Sequence, residues 1–252
     1  MVTVVNGDNT GELFQYTTFV GDSINLDAAG GDDTIEINGF DLSTIKGGLG
    51  DDDFTLRNLF QTTIEGGNGG STEVNDYDVD NLQNVLIDGR GAVTILNDDL
   101  GIDGIFNSTV LGGDFNDQYR LLNSNQITVE AGDGDDEFRD LQASSLLLEG
   151  QDGNDLFQSN GILGVNPLFN STLRGGAGED DFRNIEMSNT LLEGGAESDE
   201  FNVAGSGTVR GGDGDDLISN QRFGTADQMG VTSSLFEGGK GVDGFTLKQD
   251  NP

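Results

Sequence analysis

An eight-residue glycine turn recurs along the chain and limits what the chain can fold into. Its fullest form is Gly211-Gly212-Asp213-Gly214-Asp215-Asp216-Leu217-Ile218, and close copies start at Gly47, Ala131 and Gly175. The turn is numbered 1 to 8, with Asp at position 6 and a large apolar residue at position 8. Starts then fall at Ala28, Gly47, Gly66, Asp88, Gly112, Ala131, Gly150, Gly175, Gly194, Gly211 and Gly238. The commonest step is 19 in sequence number, as from Gly47 to Gly66, and most longer steps are that step plus a short insert. A unit this short cannot bury its own apolar side chains, so such repeats must stack.

Two apolar columns support that register. Position 8 holds Ile35, Phe54, Ile95, Tyr119, Phe138, Phe157, Phe182, Phe201, Ile218 and Phe245. Two residues before the turn stand Leu26, Ile45, Ile64, Leu86, Val110, Val129, Leu148, Leu173, Leu192, Val209 and Phe236. Polar residues alternate with them, as in half-buried strands, and helices would not tolerate this much glycine. The pattern predicts an all-β fold, a parallel right-handed β-solenoid of about eleven coils with two short strands each. At about 4.8 Å per strand, it would be a rod on the order of 50 Å long. Residues 1–27 precede the first turn and are expected to cap the solenoid domain of residues 28–252. Inserts at Asn97–Phe106, Ser159–Phe169 and Gln221–Thr232 are expected as loops opposite the turn.

Just before the turn, Glu130, Glu149, Arg174, Glu193, Arg210 and Glu237 form a column of mixed sign. A ladder of ion pairs and a merely solvated face both remain open there. Thr is frequent three residues before the turn. That column is broken by Val85, Leu147 and Leu191, which argues against a flat ice-binding array.

Composition narrows the chemistry. The formal net charge of −35 repels nucleic acid and anionic membranes, so neither is expected as a partner. No run is long and apolar enough for membrane insertion. The chain has no Cys and no His, which leaves oxygen ligands and hard cations such as Ca²⁺. Met1 to Gly21 show no basic n-region and no continuous apolar core, so no N-terminal signal peptide is expected.

Gly at positions 1, 2 and 4 frees backbone carbonyls to face one side, and the carboxylate at position 6 adds charge. The turn resembles the G-G-x-G-x-D-x-U-x nonapeptide of the RTX (repeats-in-toxin) family of calcium-binding, haemolysin-type repeats. That resemblance covers roughly Asp27 to Phe245. It implies a roll that folds on binding calcium, with turn carbonyls and the position 6 Asp as ligands. The matching residues are Asp33, Asp52, Asp117, Asp136, Asp155, Asp180, Asp199, Asp216 and Asp243. The family's usual roll carries two nonapeptides per coil, whereas this chain carries a single motif in each coil. A calcium ladder is therefore expected on one edge only.

The coil at Gly66 has Ser71 at position 6, with its apolar residue, Val74, one place late. The coil at Asp88 has Val93 at position 6. Residues of about 66–111 thus lack the position 6 Asp. If each ion needs Asp on two neighbouring coils, about seven Ca²⁺ sites result. For the position 5 carboxylates and amides, a ligand role and a solvent-facing role both stay open.

The expected function is a calcium-binding structural rod in an extracellular surface layer, appendage, adhesin or virion. Its partners would be calcium ions, other copies of itself, or other surface or virion proteins. No catalytic constellation is present, so an enzyme is not expected. Two alternatives are a polysaccharide-binding or -modifying solenoid, of lyase or epimerase type, and a secretion or folding module of a larger RTX system.

Overall fold

The computed structural model describes residues 1–67, 74–89, 92–96, 104–159, 168–220 and 234–247. Among these residues there is no helix. The strands, from Val2–Asn6 to Gly244–Leu247, pair in parallel. They stack as a β-solenoid of about ten turns. The sequence expectation of parallel stacking is met. Each coil runs glycine turn, strand, corner, short strand, and then the next turn.

The core is two ladders of apolar side chains. Phe54 pairs with Tyr77, and the run Tyr119, Phe138, Phe157, Phe182, Phe201 continues in register. Neighbouring rings lie stacked with centroids 4.6–4.9 Å apart. That spacing is the strand separation, so parallel in-register pairing forces the rings face to face. The second ladder, Leu26, Ile45, Ile64, Ile87, Val110, Val129, Leu148, Leu173, Leu192 and Val209, is fully buried.

Two sequence expectations need correction. In the coil after Gly66, Tyr77 rather than Val74 pairs with Phe54. Counting back two residues places Asn75, not Ser71, at position 6, where it pairs with Val93. Ser71 itself lies outside the described residues. In the next coil Ile64 pairs with Ile87, and Leu86 pairs with Thr63 and Thr109. That turn therefore begins at Gly89, not Asp88. Leu86 faces outward, and Val85 is buried instead of standing in the Thr column. The physical cause is the period of two: a slip of one residue moves every side chain to the opposite face.

Residues 2–27, ahead of the first recognised turn, form a coil in register with the rest. Val2–Asn6 pairs with Ser23 to Asp27, and Leu13 to Thr17 pair with Thr34 to Asn38. The expected insert loops fall largely outside the described residues.

Corners are fixed by polar side chains. Asn58 and Asn81 adopt left-handed φ values of 54° and 52°, which Asn tolerates. Their side-chain amides chain together, Asn81 Nδ2 to Asn58 Oδ1 at 2.7 Å and Asn58 Nδ2 to Asn38 Oδ1 at 2.9 Å. At the other corner, Ser43, Ser108 and Ser171 each accept an amide from the preceding coil, from Ile24, Val85 and Leu146. The column before the turn forms ion pairs: Arg174 bridges Glu149 and Glu193, and Arg210 bridges Glu193 and Glu237.

Candidate functional site

The side chains at position 6 line up along one edge of the solenoid, just inside the glycine turns. Asp33, Asp52, Asp117, Asp136, Asp155, Asp180, Asp199 and Asp216 are all buried, each with 2% of its surface or less exposed. Asp243, on the last described coil, is only partly buried.

The carboxylates of the column share a two-ended geometry. Oδ1 accepts the backbone N–H of the column residue one coil earlier. Asp136 N donates to Asp155 Oδ1 at 2.9 Å, Asp155 N to Asp180 Oδ1 at 2.8 Å and Asp180 N to Asp199 Oδ1 at 2.9 Å. The same link joins Asp33 to Asp52, Asp117 to Asp136, Asp199 to Asp216 and Asp216 to Asp243. The inward Oδ2 of Asp33, Asp136, Asp155, Asp180, Asp199 and Asp216 is buried with no hydrogen-bond donor among the described residues.

The position 1 glycine makes room for this oxygen. A Cβ added to Gly211 would lie 1.9 Å from Asp216 Oδ2 and 2.5 Å from the carbonyl oxygen of Gly238 on the next coil. At Gly194 the corresponding distances are 2.0 Å to Asp199 Oδ2 and 2.8 Å to Gly211 O. The carboxylate oxygen and the next coil's carbonyl therefore converge over the glycine. A side chain at position 1 of these coils would occupy the space that they share, as the methyl groups of Ala28 and Ala131 do at the head of the Asp33 and Asp136 coils.

Burial raises the pKa of these carboxyls, and it outweighs the opposing amide hydrogen bond. Asp52 and Asp199 are pushed up to about 7, Asp136 and Asp180 to about 8, and Asp155 to about 6. Asp33 and Asp216 are raised as well, again chiefly by burial. Neighbouring carboxylates add to the effect. A buried carboxylate oxygen without a donor is unfavourable until a proton or a cation neutralises it.

The residues present fit a hard cation in three respects: the unmatched Oδ2, the adjoining carbonyl, and an all-oxygen donor set. No group of three or more acidic side chains converges among the described residues. Any ion would therefore combine few carboxylate oxygens with backbone carbonyls. Because Oδ1 is already taken by an amide, the open oxygen belongs to a single coil, not to a pair of facing aspartates.

Position 5 has its own role. Asp32, Asn116, Asp135 and Asn154 accept the position 5 amide of the following coil, at 2.7–3.2 Å. These side chains are exposed inter-coil caps.

One member of the column was missed in the sequence. Glu12 N donates to Asp33 Oδ1 at 2.8 Å, and Glu12 Oε2 lies 2.5 Å from where a Cβ of Gly7 would stand. Glu12 therefore heads the column at its N-terminal end. The spacing Gly7…Glu12…Phe14, matching Gly211…Asp216…Ile218, was the available signal.

In comparisons with known proteins, no family model matches the chain and no curated protein matches it significantly.

Proposed function

We propose that this chain is a calcium-binding structural rod, an RTX-like solenoid whose carboxylate edge takes up Ca²⁺ and so locks one coil to the next. The observation that supports it is the row of buried Oδ2 oxygens with no donor among the described residues, with a carbonyl of the next coil beside those of Asp155, Asp199 and Asp216. Asp33, Asp52, Asp136, Asp155, Asp180, Asp199 and Asp216 supply the carboxylates, with Asp243 and Glu12 at the ends. Bound calcium supplies positive charge and six to eight oxygen-coordination positions. The chain supplies a desolvated oxygen and a carbonyl on neighbouring coils, so that binding and stacking are coupled.

Calcium near millimolar concentration is typical outside cells, so a surface layer, appendage, adhesin or virion suits such a site. The role is mechanical rather than catalytic. The arginines that follow position 8 support this, because they are engaged as outer-face ion pairs. Arg57 pairs with Asp78 and Arg183 with Asp181.

The test is far-UV circular dichroism of the whole chain at pH 7.5, first with chelator and then with millimolar Ca²⁺. A large gain of β signal that calcium gives and magnesium does not is expected. A spectrum indifferent to chelator and calcium would rule the reading out.

A further inference from the structure

The carboxylate column is interrupted at two coils, which carry Asn75 and Val93 at position 6. The side chains that flank the break differ from those of the intact column. Where Asp stands at position 6, position 8 is Phe or Ile in nearly every coil, as in Phe54, Phe138, Phe157, Phe182, Phe201 and Ile218. The aromatic ladder holds two tyrosines here: Tyr77 in the first interrupted coil, its buried hydroxyl without a partner among the described residues, and Tyr119 in the first coil that regains the Asp. Both rings stack on a phenylalanine as their neighbours do, with centroids 4.7 Å and 4.9 Å apart. The ring thus does nothing that Phe would not do, and the hydroxyl is what distinguishes these positions.

The Tyr119 hydroxyl donates to Asp117 Oδ2 at 3.0 Å, and both residues are buried. A Cβ added to Gly112 would lie 2.5 Å from that hydroxyl, 2.3 Å from Asp117 Oδ2 and 2.1 Å from the Ala131 carbonyl oxygen. Over Gly211 the same niche holds the carboxylate oxygen and the next carbonyl without any hydroxyl. A phenol oxygen has therefore entered the place where the other coils leave an unmatched oxygen pair. It brings the donor that a buried acceptor requires.

We infer that Tyr119 substitutes for a cation: its hydroxyl satisfies Asp117 and ends the ladder there, so Asp117 holds no ion although its turn carries the motif's Asp. The residue at position 8 thereby decides whether a coil takes calcium. Phenylalanine leaves the Oδ2 open, and tyrosine closes it. This inference rests on the calcium reading above.

The test counts calcium bound per folded chain, by equilibrium dialysis at saturating Ca²⁺ followed by atomic emission. Three whole chains are compared: the natural protein, Tyr119→Phe and Phe157→Tyr, the last in a coil where Asp155 Oδ2 and the Gly175 carbonyl meet over Gly150. Tyr119→Phe is expected to bind one ion more than the natural protein, and Phe157→Tyr one ion fewer. In chelator at pH 6, Tyr119→Phe is expected to melt at lower temperature than the natural protein, and saturating calcium should restore the difference. If Tyr119→Phe fails to fold even with calcium, Phe157→Tyr alone still decides the matter. Unchanged counts in folded variants of a calcium-binding natural protein would overturn the inference. A natural protein that binds no calcium would instead overturn the calcium reading itself, and the two failures are separated by the natural protein's own count.

Discussion

Asp180 shows how one side chain can serve two purposes. Its Oδ1 is held by the Asp155 amide at 2.8 Å, while its Oδ2 meets no donor in the core. Replacing it with Asn keeps the shape and the Oδ1 acceptor and removes the charge. Asp180→Asn is therefore expected to stabilise the calcium-free chain at pH 8, where the natural carboxyl is half or more ionised. In saturating calcium the same variant should be less stable than the natural chain, by about 1–3 kcal/mol, and should bind one ion fewer. Thermal melts in chelator and in calcium check this, and a variant that shifts both melts in the same direction would show that the column does not act through metal. Much of this residue-level detail was legible in the sequence, because Asp at position 6 beside glycines is a distinctive signal. Glu12 escaped because its longer side chain occupies a position read as Asp everywhere else. The hydroxyl corner at Ser43, Ser108 and Ser171 escaped because Ile127 and Leu146 interrupt it, so it shows no simple repeat.

At the scale of the strand and its column, the carboxyls act together. Asp33, Asp52, Asp136, Asp155, Asp180, Asp199 and Asp216 are pushed above the ordinary value near 3.8, to about 6 for Asp155 and about 8 for Asp136 and Asp180. The folded chain thus holds these protons more tightly than the unfolded chain does. That stability is fully present below the ordinary carboxyl range and is lost as pH rises through about 6 to 8. Calcium-free protein is expected to keep its β-structure at pH 5 and to lose it on the way to pH 8. Calcium should abolish the loss by taking the place of the protons. Circular dichroism followed against pH, with and without chelator, reads this out. A calcium-free chain more stable at pH 8 than at pH 5 would contradict it. Strands were legible wherever apolar residues alternate cleanly, as in Phe54-Thr55-Leu56. They were misread at Leu86-Ile87, where two adjacent apolar residues fit opposite faces equally well. Only pairing with Thr63 and Ile64 settles which one points inward. At Val74 the decoy arose because this coil spans 23 residues, the spacing that separates Asn58 from Asn81, so the apolar residue that fits the usual step is not the one that pairs with Phe54.

At the scale of the whole molecule, the break in the column divides the rod. Glu12, Asp33 and Asp52 form one carboxylate run, and Asp136 through Asp243 form a second and longer one. Between them, Asn75 and Val93 carry no position 6 carboxylate, and Asp117 is engaged by Tyr119. The second hydrophobic ladder crosses the break without interruption, since Ile64, Ile87 and Val110 are all buried. Apolar stacking therefore joins the two runs, while charge neutralisation acts within each run separately. In a stacked array, stability is approximately a sum over coils and their nearest-neighbour interfaces. The longer run adds more cation-linked interfaces and should hold its fold to lower calcium. Hydrogen exchange at pH 8 across a falling series of calcium concentrations is expected to show two steps. Strands of residues 13–60 should lose protection first, and strands of residues 128–219 at lower free calcium. Tyr119→Phe should extend the longer run by one coil and lower the calcium level of the second step, with little effect on the first. A single coincident transition across the whole chain, in the natural protein and in the variant alike, would mean that the apolar ladders couple all coils more strongly than the carboxylate break can separate them.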